Sequence, residues 1–211
     1  MRRCVIFGGG EITDLRYTQG ILRSDDYIIC ADRGYAYCVS MGIKPNLVMG
    51  DFDSYRGEVA ADCKTLRFPV EKDDTDTMLA VKEAIAQGCE DILMVGMLGG
   101  RLDHTFANIQ TLAYAAHHGA KAVIADKSCR ITAVGNGQSV TVPYERGYHF
   151  SVFCHSDKAH GVTIRSAKYE VEDAEMTNDF PIGVSNDFVP GEDAVISVRE
   201  GLLIIVKNQG E

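Results

Sequence analysis

Over the first 125 residues, short apolar runs alternate with helix-like stretches, and this alternation restricts the fold more than any other feature. The runs are Cys4–Phe7, Tyr27–Ala31, Leu47–Met49, Thr65–Phe68, Ile92–Val95 and Ala122–Ala125. They read as buried parallel strands. Between them, Thr75–Gln87 carries Met78, Val81 and Ile85 on one helical face, and Asp103–His118 is a second clear helix. Strands alternating with helices predict an α/β domain built on a parallel sheet.

Ligands of such sheets bind outside the carboxyl ends of the strands. The notable polar residues all follow strands. Gly8–Gly10 comes after the first, Asp32 after the second, and Asp51 and Asp53 after the third. Lys72 to Asp76 follows the fourth, and Gly99 to Asp103 the fifth. Five consecutive loops are therefore expected on one rim.

The pattern changes near residue 126. Strands are expected at Arg130–Val134, Ser139–Val142, His149–Phe153, Val162–Arg165, Ala194–Val198 and Leu202–Val206, separated by Gly, Asn, Asp and Pro turns. No helical period remains, so this half reads as a small antiparallel sandwich. The expected domains are residues 1–126 and 127–211.

A formal net charge of −9 and the lack of a basic arm argue against a nucleic-acid binder. An acidic chain that handles polyanions must gather positive charge locally, through metal ions or a few Arg and Lys side chains. Seven cysteines without a CxxC pair read as reduced core thiols, which fits a cytoplasmic protein. The first apolar run is too short for a signal-peptide core. Nothing approaches the roughly 20 apolar residues of a membrane span.

Three segments carry chemistry. In Gly50-Asp51-Phe52-Asp53-Ser54, an extended backbone aims Asp51 and Asp53 the same way. Such carboxylates either hold Mg²⁺, which takes oxygen ligands, or bond to local backbone amides. Lys72-Asp73-Asp74-Thr75-Asp76-Thr77 opens a helix, so one residue is expected as its cap. Three carboxylates in four positions exceed what capping requires, and Asp76 is the foremost candidate for a metal or a hydroxyl. In Gly99-Gly100-Arg101-Leu102-Asp103-His104, the glycines let backbone approach a ligand and Arg101 suits a phosphate. Asp103 either caps the helix or contributes to the site. No HExxH, GxSxG or metal-spaced Cys/His set occurs, which argues against zinc chemistry.

Taken together, these segments resemble the bacterial form of the thiamine pyrophosphokinase family. The resemblance rests on Ala31-Asp32-Arg33-Gly34, Pro45 to Ser54, Lys72 to Asp76, Gly99 to His104, and Gly183-Val184-Ser185-Asn186, in the family's order. It implies transfer of pyrophosphate from ATP to the thiamine hydroxyl, giving thiamine diphosphate and AMP. It implies an N-terminal ATP-binding catalytic domain and a C-terminal thiamine-binding sandwich. A homodimer is implied, with thiamine in a cleft at the subunit interface, and Mg²⁺ on Asp51, Asp53 and Asp76. Asp103 would orient or bind the substrate. The ATP side would comprise Gly9, Asp32, Lys72, Thr75, Gly99, Gly100 and Arg101. The thiamine side would comprise Asp103, Tyr169, Ser185 and Asn186. The chain departs from the family where Arg33 replaces a frequent second glycine, and where Tyr169 aligns with a Trp of many members. Two other readings fit the same residues: a different Mg²⁺-dependent reaction at a phosphoanhydride, or a nucleotide or thiamine sensor without turnover.

Overall fold

A computed structural model describes residues 2–50, 59–68 and 73–210. The chain divides into two compact units, Met1–Lys127 and Ser128–Glu211.

In the first unit the elements run β1 (Arg3–Phe7), α1 (Leu15–Gly20), β2 (Tyr27–Ala31), α2 (Gly34–Ser40), β3 (Leu47–Gly50), β4 (Thr65–Arg67), α3 (Asp76–Ala86), β5 (Asp91–Val95), α4 (Leu102–His117) and β6 (Lys121–Ala125). The strands form a parallel sheet in the order β6-β5-β1-β2-β3-β4. The chain steps from β1 outward to β4, then crosses back to β5 on the other side of β1. Right-handed crossovers in opposite directions put helices on opposite faces of a sheet. Both faces of the central strands are thereby buried, which is why the runs are apolar throughout. Val5 and Phe7 pack with Tyr35, Cys38 and Val48 on one side. Cys4 and Ile6 alternate to the other and are equally buried.

Both predicted helices are present. Two shorter ones, α1 and α2, lie where no helix is legible: six and seven residues leave no room for a full apolar period. Asp14 caps α1 by accepting the Tyr17 N–H at 2.9 Å. Cys30 of β2 and Cys38 of α2 bring their sulfurs within 3.2 Å. All seven cysteines are free thiols.

The second unit holds β7 (Cys129–Gly135), β8 (Ser139–Val142), β9 (Tyr148–Cys154), β10 (Lys158–Arg165), β11 (Val171–Thr177), β12 (Asn186–Asp187), β13 (Ala194–Ser197) and β14 (Leu202–Gln209). One sheet runs β12-β9-β14-β7 and the other β11-β10-β13-β8, with antiparallel pairings throughout. Their inner residues, among them Phe150, Val152, Ile164, Phe188, Ile196 and Leu203, make one core. The polar strand β11 has no apolar run to announce it. It lies at a sheet edge and turns Glu172, Asp173 and Glu175 outward, which discourages further strand pairing.

Candidate active site

The chain reverses direction between β1 and β5, and this switch point is where an open α/β sheet leaves a crevice. Two glycine loops meet there. The Gly8 N–H donates to the Val95 carbonyl and the Gly10 N–H to the Gly96 carbonyl, both at 2.8 Å. Neither glycine could carry a side chain at this junction. A β-carbon on Gly8 would lie 2.7 Å from the Gly96 oxygen, and one on Gly10 would meet the same oxygen at 2.7 Å. Between these spent amides, Gly9 is exposed, and its N–H has no partner among the described residues. Gly9 thus presents bare backbone, which a ligand can approach closely.

Several side chains that the sequence does not flag hold these loops. The Tyr37 hydroxyl donates to the Gly10 carbonyl at 2.8 Å and accepts the Ile12 N–H at 3.2 Å. Buried Asn108, on α4, donates from Nδ2 to the Met97 carbonyl at 2.8 Å. Thr77 Oγ1 sits 3.8 Å from Met97 Sδ, so the first turn of α3 touches the loop after β5. The only sequence signal for Asn108 is a polar residue on the inward face of an otherwise apolar helix.

The loop after β2 is held by its ends. A β-carbon on Gly34 would stand 2.0 Å from the Phe7 carbonyl oxygen, so only glycine lets α2 start so close to β1. The Asp32 N–H donates to the Met49 carbonyl at 2.7 Å. Asp32 itself has φ +48°, a conformation uncommon outside glycine and often found at functional sites.

Several of the predicted site residues of the first unit are described. Gly99 and Gly100 both adopt positive φ in the loop before α4. Thr75 is the N-cap of α3, where Oγ1 accepts the Met78 N–H at 3.1 Å, and Asp76 begins the helix. Among its acidic neighbours, Asp74 is taken up by Lys82 at 2.7 Å. Asp103 does not cap α4: the helix starts at Leu102, and Arg101 occupies the cap position. Instead Asp103 accepts its neighbour's N–H, from His104, and forms a two-point pair with Arg101 at 3.1 and 2.5 Å. That pair holds the Asp103 carboxyl below its usual range and raises the Arg101 guanidinium. Asp51, Asp53 and Lys72 lie outside the described residues. Among the described residues, no group of three or more His, Cys, Asp or Glu side chains is placed to hold a metal.

In the second unit, the remaining three form a cluster of their own. Asn186 is buried, its Oδ1 accepting the Tyr169 N–H at 3.0 Å and its Nδ2 donating to the Tyr169 carbonyl at 2.8 Å. Ser185 has φ +60° and donates its N–H to Ser151 Oγ at 3.0 Å. Tyr169 is 60% exposed, with the Lys168 ammonium 5.4 Å from its ring centroid.

Comparison with known proteins identifies the family. The family model for the thiamin pyrophosphokinase catalytic domain matches residues 18–124, and that for the thiamin pyrophosphokinase vitamin B1 binding domain matches residues 138–203. The chain is 28% identical to the thiamine pyrophosphokinase of Bacillus subtilis (strain 168) over 214 residues, covering 99% of each. The crystal structure of thiamine pyrophosphokinase from Bacillus subtilis superposes with a TM-score of 0.86 at 25% identity over the full length of both chains. That from Geobacillus thermodenitrificans gives 0.85 at 26% identity, covering 100% of this chain and 99% of its own. With both domain models matched in order, the chain belongs to the thiamin pyrophosphokinase family.

Proposed function

We propose that this enzyme transfers a pyrophosphoryl group from ATP to the hydroxyl of thiamine, giving thiamine diphosphate and AMP. The carrying observation is the pair of glycine loops at the β1/β5 switch point, followed on the β5 side by Arg101 and Asp103, in a chain matched by both domain models. The thiamine hydroxyl oxygen attacks the β-phosphorus, the bond from that phosphorus to the α–β bridging oxygen breaks, and AMP leaves with the bridging oxygen. Such chemistry is catalysed mainly by positioning and by neutralising charge.

Residues 1–126 supply the catalytic, ATP-binding part and 127–211 the thiamine-binding part. Gly9, Asp32, Lys72, Thr75, Gly99, Gly100 and Arg101 make up the nucleotide side. The unspent Gly9 N–H supports this, as does Thr75, whose hydroxyl hydrogen stays available while its oxygen caps α3. Asp103, kept ionised by Arg101, accepts a hydrogen bond from the thiamine hydroxyl and aims its oxygen at phosphorus. Tyr169, Ser185 and Asn186 face the vitamin.

Asp51, Asp53 and Asp76 are an all-carboxylate donor set, which fits Mg²⁺. Bound there, Mg²⁺ would neutralise charge on the phosphate oxygens. We also infer a homodimer with the thiamine site at the subunit interface. Its support is Phe180, Ile182 and Val184, exposed at 63, 67 and 48% immediately before Ser185. A cytoplasmic location fits seven free thiols, and no helix among the described residues is long and apolar enough to cross a membrane.

The test is product analysis with ATP, Mg²⁺ and thiamine. AMP and thiamine diphosphate should appear in equal amounts, and only with thiamine present. ADP with thiamine monophosphate as first products would overturn attack at the β-phosphorus. Asp53→Asn should lower turnover roughly a hundredfold, as loss of a charge-stabilising group does. Near-normal turnover at limiting Mg²⁺ would remove Asp53 from the metal set.

A further inference from the structure

We propose that Arg33 is a phosphate-binding residue, closing over the nucleotide's polyphosphate together with the Gly9 N–H. This rests on the reading that ATP lies on this rim. Arg33 belongs to the loop between β2 and α2, directly after Asp32. A β-carbon built on Gly9 would stand 3.5 Å from the Arg33 β-carbon, so the arginine side chain leaves the backbone alongside the exposed glycine. Its own backbone cannot drift away. Gly34 is pressed against the Phe7 carbonyl, and the Arg33 carbonyl accepts the Ala36 N–H at 3.0 Å.

The side chain, by contrast, is not held by any described residue. Arg33 is exposed and forms no ion pair or side-chain hydrogen bond with any described residue. Several other cations of this unit are engaged, among them Arg3 with Asp26, Lys44 with Asp62, Lys82 with Asp74, Arg101 with Asp103 and Lys127 with Asp14. In a chain of net charge −9, a guanidinium that pairs with no described residue, beside an N–H in the same state, is suited to an anion that arrives from outside. The crevice is then flanked on both sides. Arg101 stands on the β5 side, where it must trade Asp103 for phosphate. Arg33 stands on the β2 side, where it has no side-chain partner among the described residues to give up.

The test uses the full chain, Mg²⁺ and an ATP analogue with a methylene bridge between the α- and β-phosphorus, with binding measured by calorimetry. Arg33→Gln should bind the analogue about ten- to a hundredfold more weakly, the range for a lost charge-assisted hydrogen bond. Arg33→Lys should recover part of that loss, because it keeps the charge but not the two-point fork. Thiamine binding and melting temperature should stay unchanged in both variants. Arg33→Gln binding the analogue within twofold of the unaltered protein, or losing thiamine affinity equally, overturns the assignment alone. An unaltered protein that fails to bind the analogue overturns the nucleotide reading, and Arg33 with it.

Discussion

A buried amide on a helix is an odd choice when leucine would fill the space. Asn108 earns its place through one bond, to the Met97 carbonyl in the loop after β5. Replacing it with Leu leaves that carbonyl facing an apolar side chain, at a cost of about 1–3 kcal/mol. The more telling effect is on position. Gly96 and Met97 form the wall against which Gly8 and Gly10 rest, so the loop that carries Arg101 should lose its anchor. Asn108→Leu is expected to raise the KM for ATP severalfold more than that for thiamine. Steady-state kinetics with each substrate varied in turn will read this. Equal effects on both would reduce Asn108 to a purely structural role.

At the scale of elements, the helix opening at Thr75 tests how cap and site divide one residue. Thr75→Ala removes the bond to the Met78 N–H and should destabilise the protein by about 1 kcal/mol, while Thr75→Ser restores it. An activity loss in Thr75→Ala beyond that accounted for by unfolding, measured well below the melting temperature, marks contact with the nucleotide. Activity tracking stability alone would confine Thr75 to capping. The same helix shows why some elements were legible and others not. Thr75–Gln87 has enough turns for an apolar face to repeat, and both faces of β1, β2 and β5 are covered, so their runs are unbroken. The seven residues of α2 hold in place through Gly34 against Phe7 and Tyr35 in the core, contacts invisible to any local pattern. Likewise β11 is a strand because β10 offers it an edge, not because Glu172 and Asp173 favour one. In the site, residue types and order were readable. The pairing of Arg101 with Asp103 and the clamp of Asn186 on Tyr169 were not, since both are products of loop geometry.

For the whole molecule, the exposed run Phe180, Ile182 and Val184 is the clearest mark of a partner surface in the second unit. In the first unit, Leu102 and Phe106, one turn apart on α4, are also exposed, at 82 and 60%. If a second copy covers residues 180–184, Ile182→Arg should shift the protein from dimer to monomer in sedimentation velocity. Thiamine affinity should fall with it, because Ser185 and Asn186 adjoin the altered surface. A dimer that survives Ile182→Arg unchanged would place the interface elsewhere. The order in which the chain is made adds a different constraint. In the sheet of the second unit, β14 lies between β7 and β9 and bonds to both, yet it follows every other strand in sequence. On the ribosome, β7 and β9 therefore emerge long before the strand that joins them, and Phe150 and Val152 must wait without their sheet's central strand. The first unit has its sixth strand by Ala125 and faces no such delay. Synthesis thus releases a first unit that can close early, and a second whose sheet can close only when Leu202–Gln209 is free.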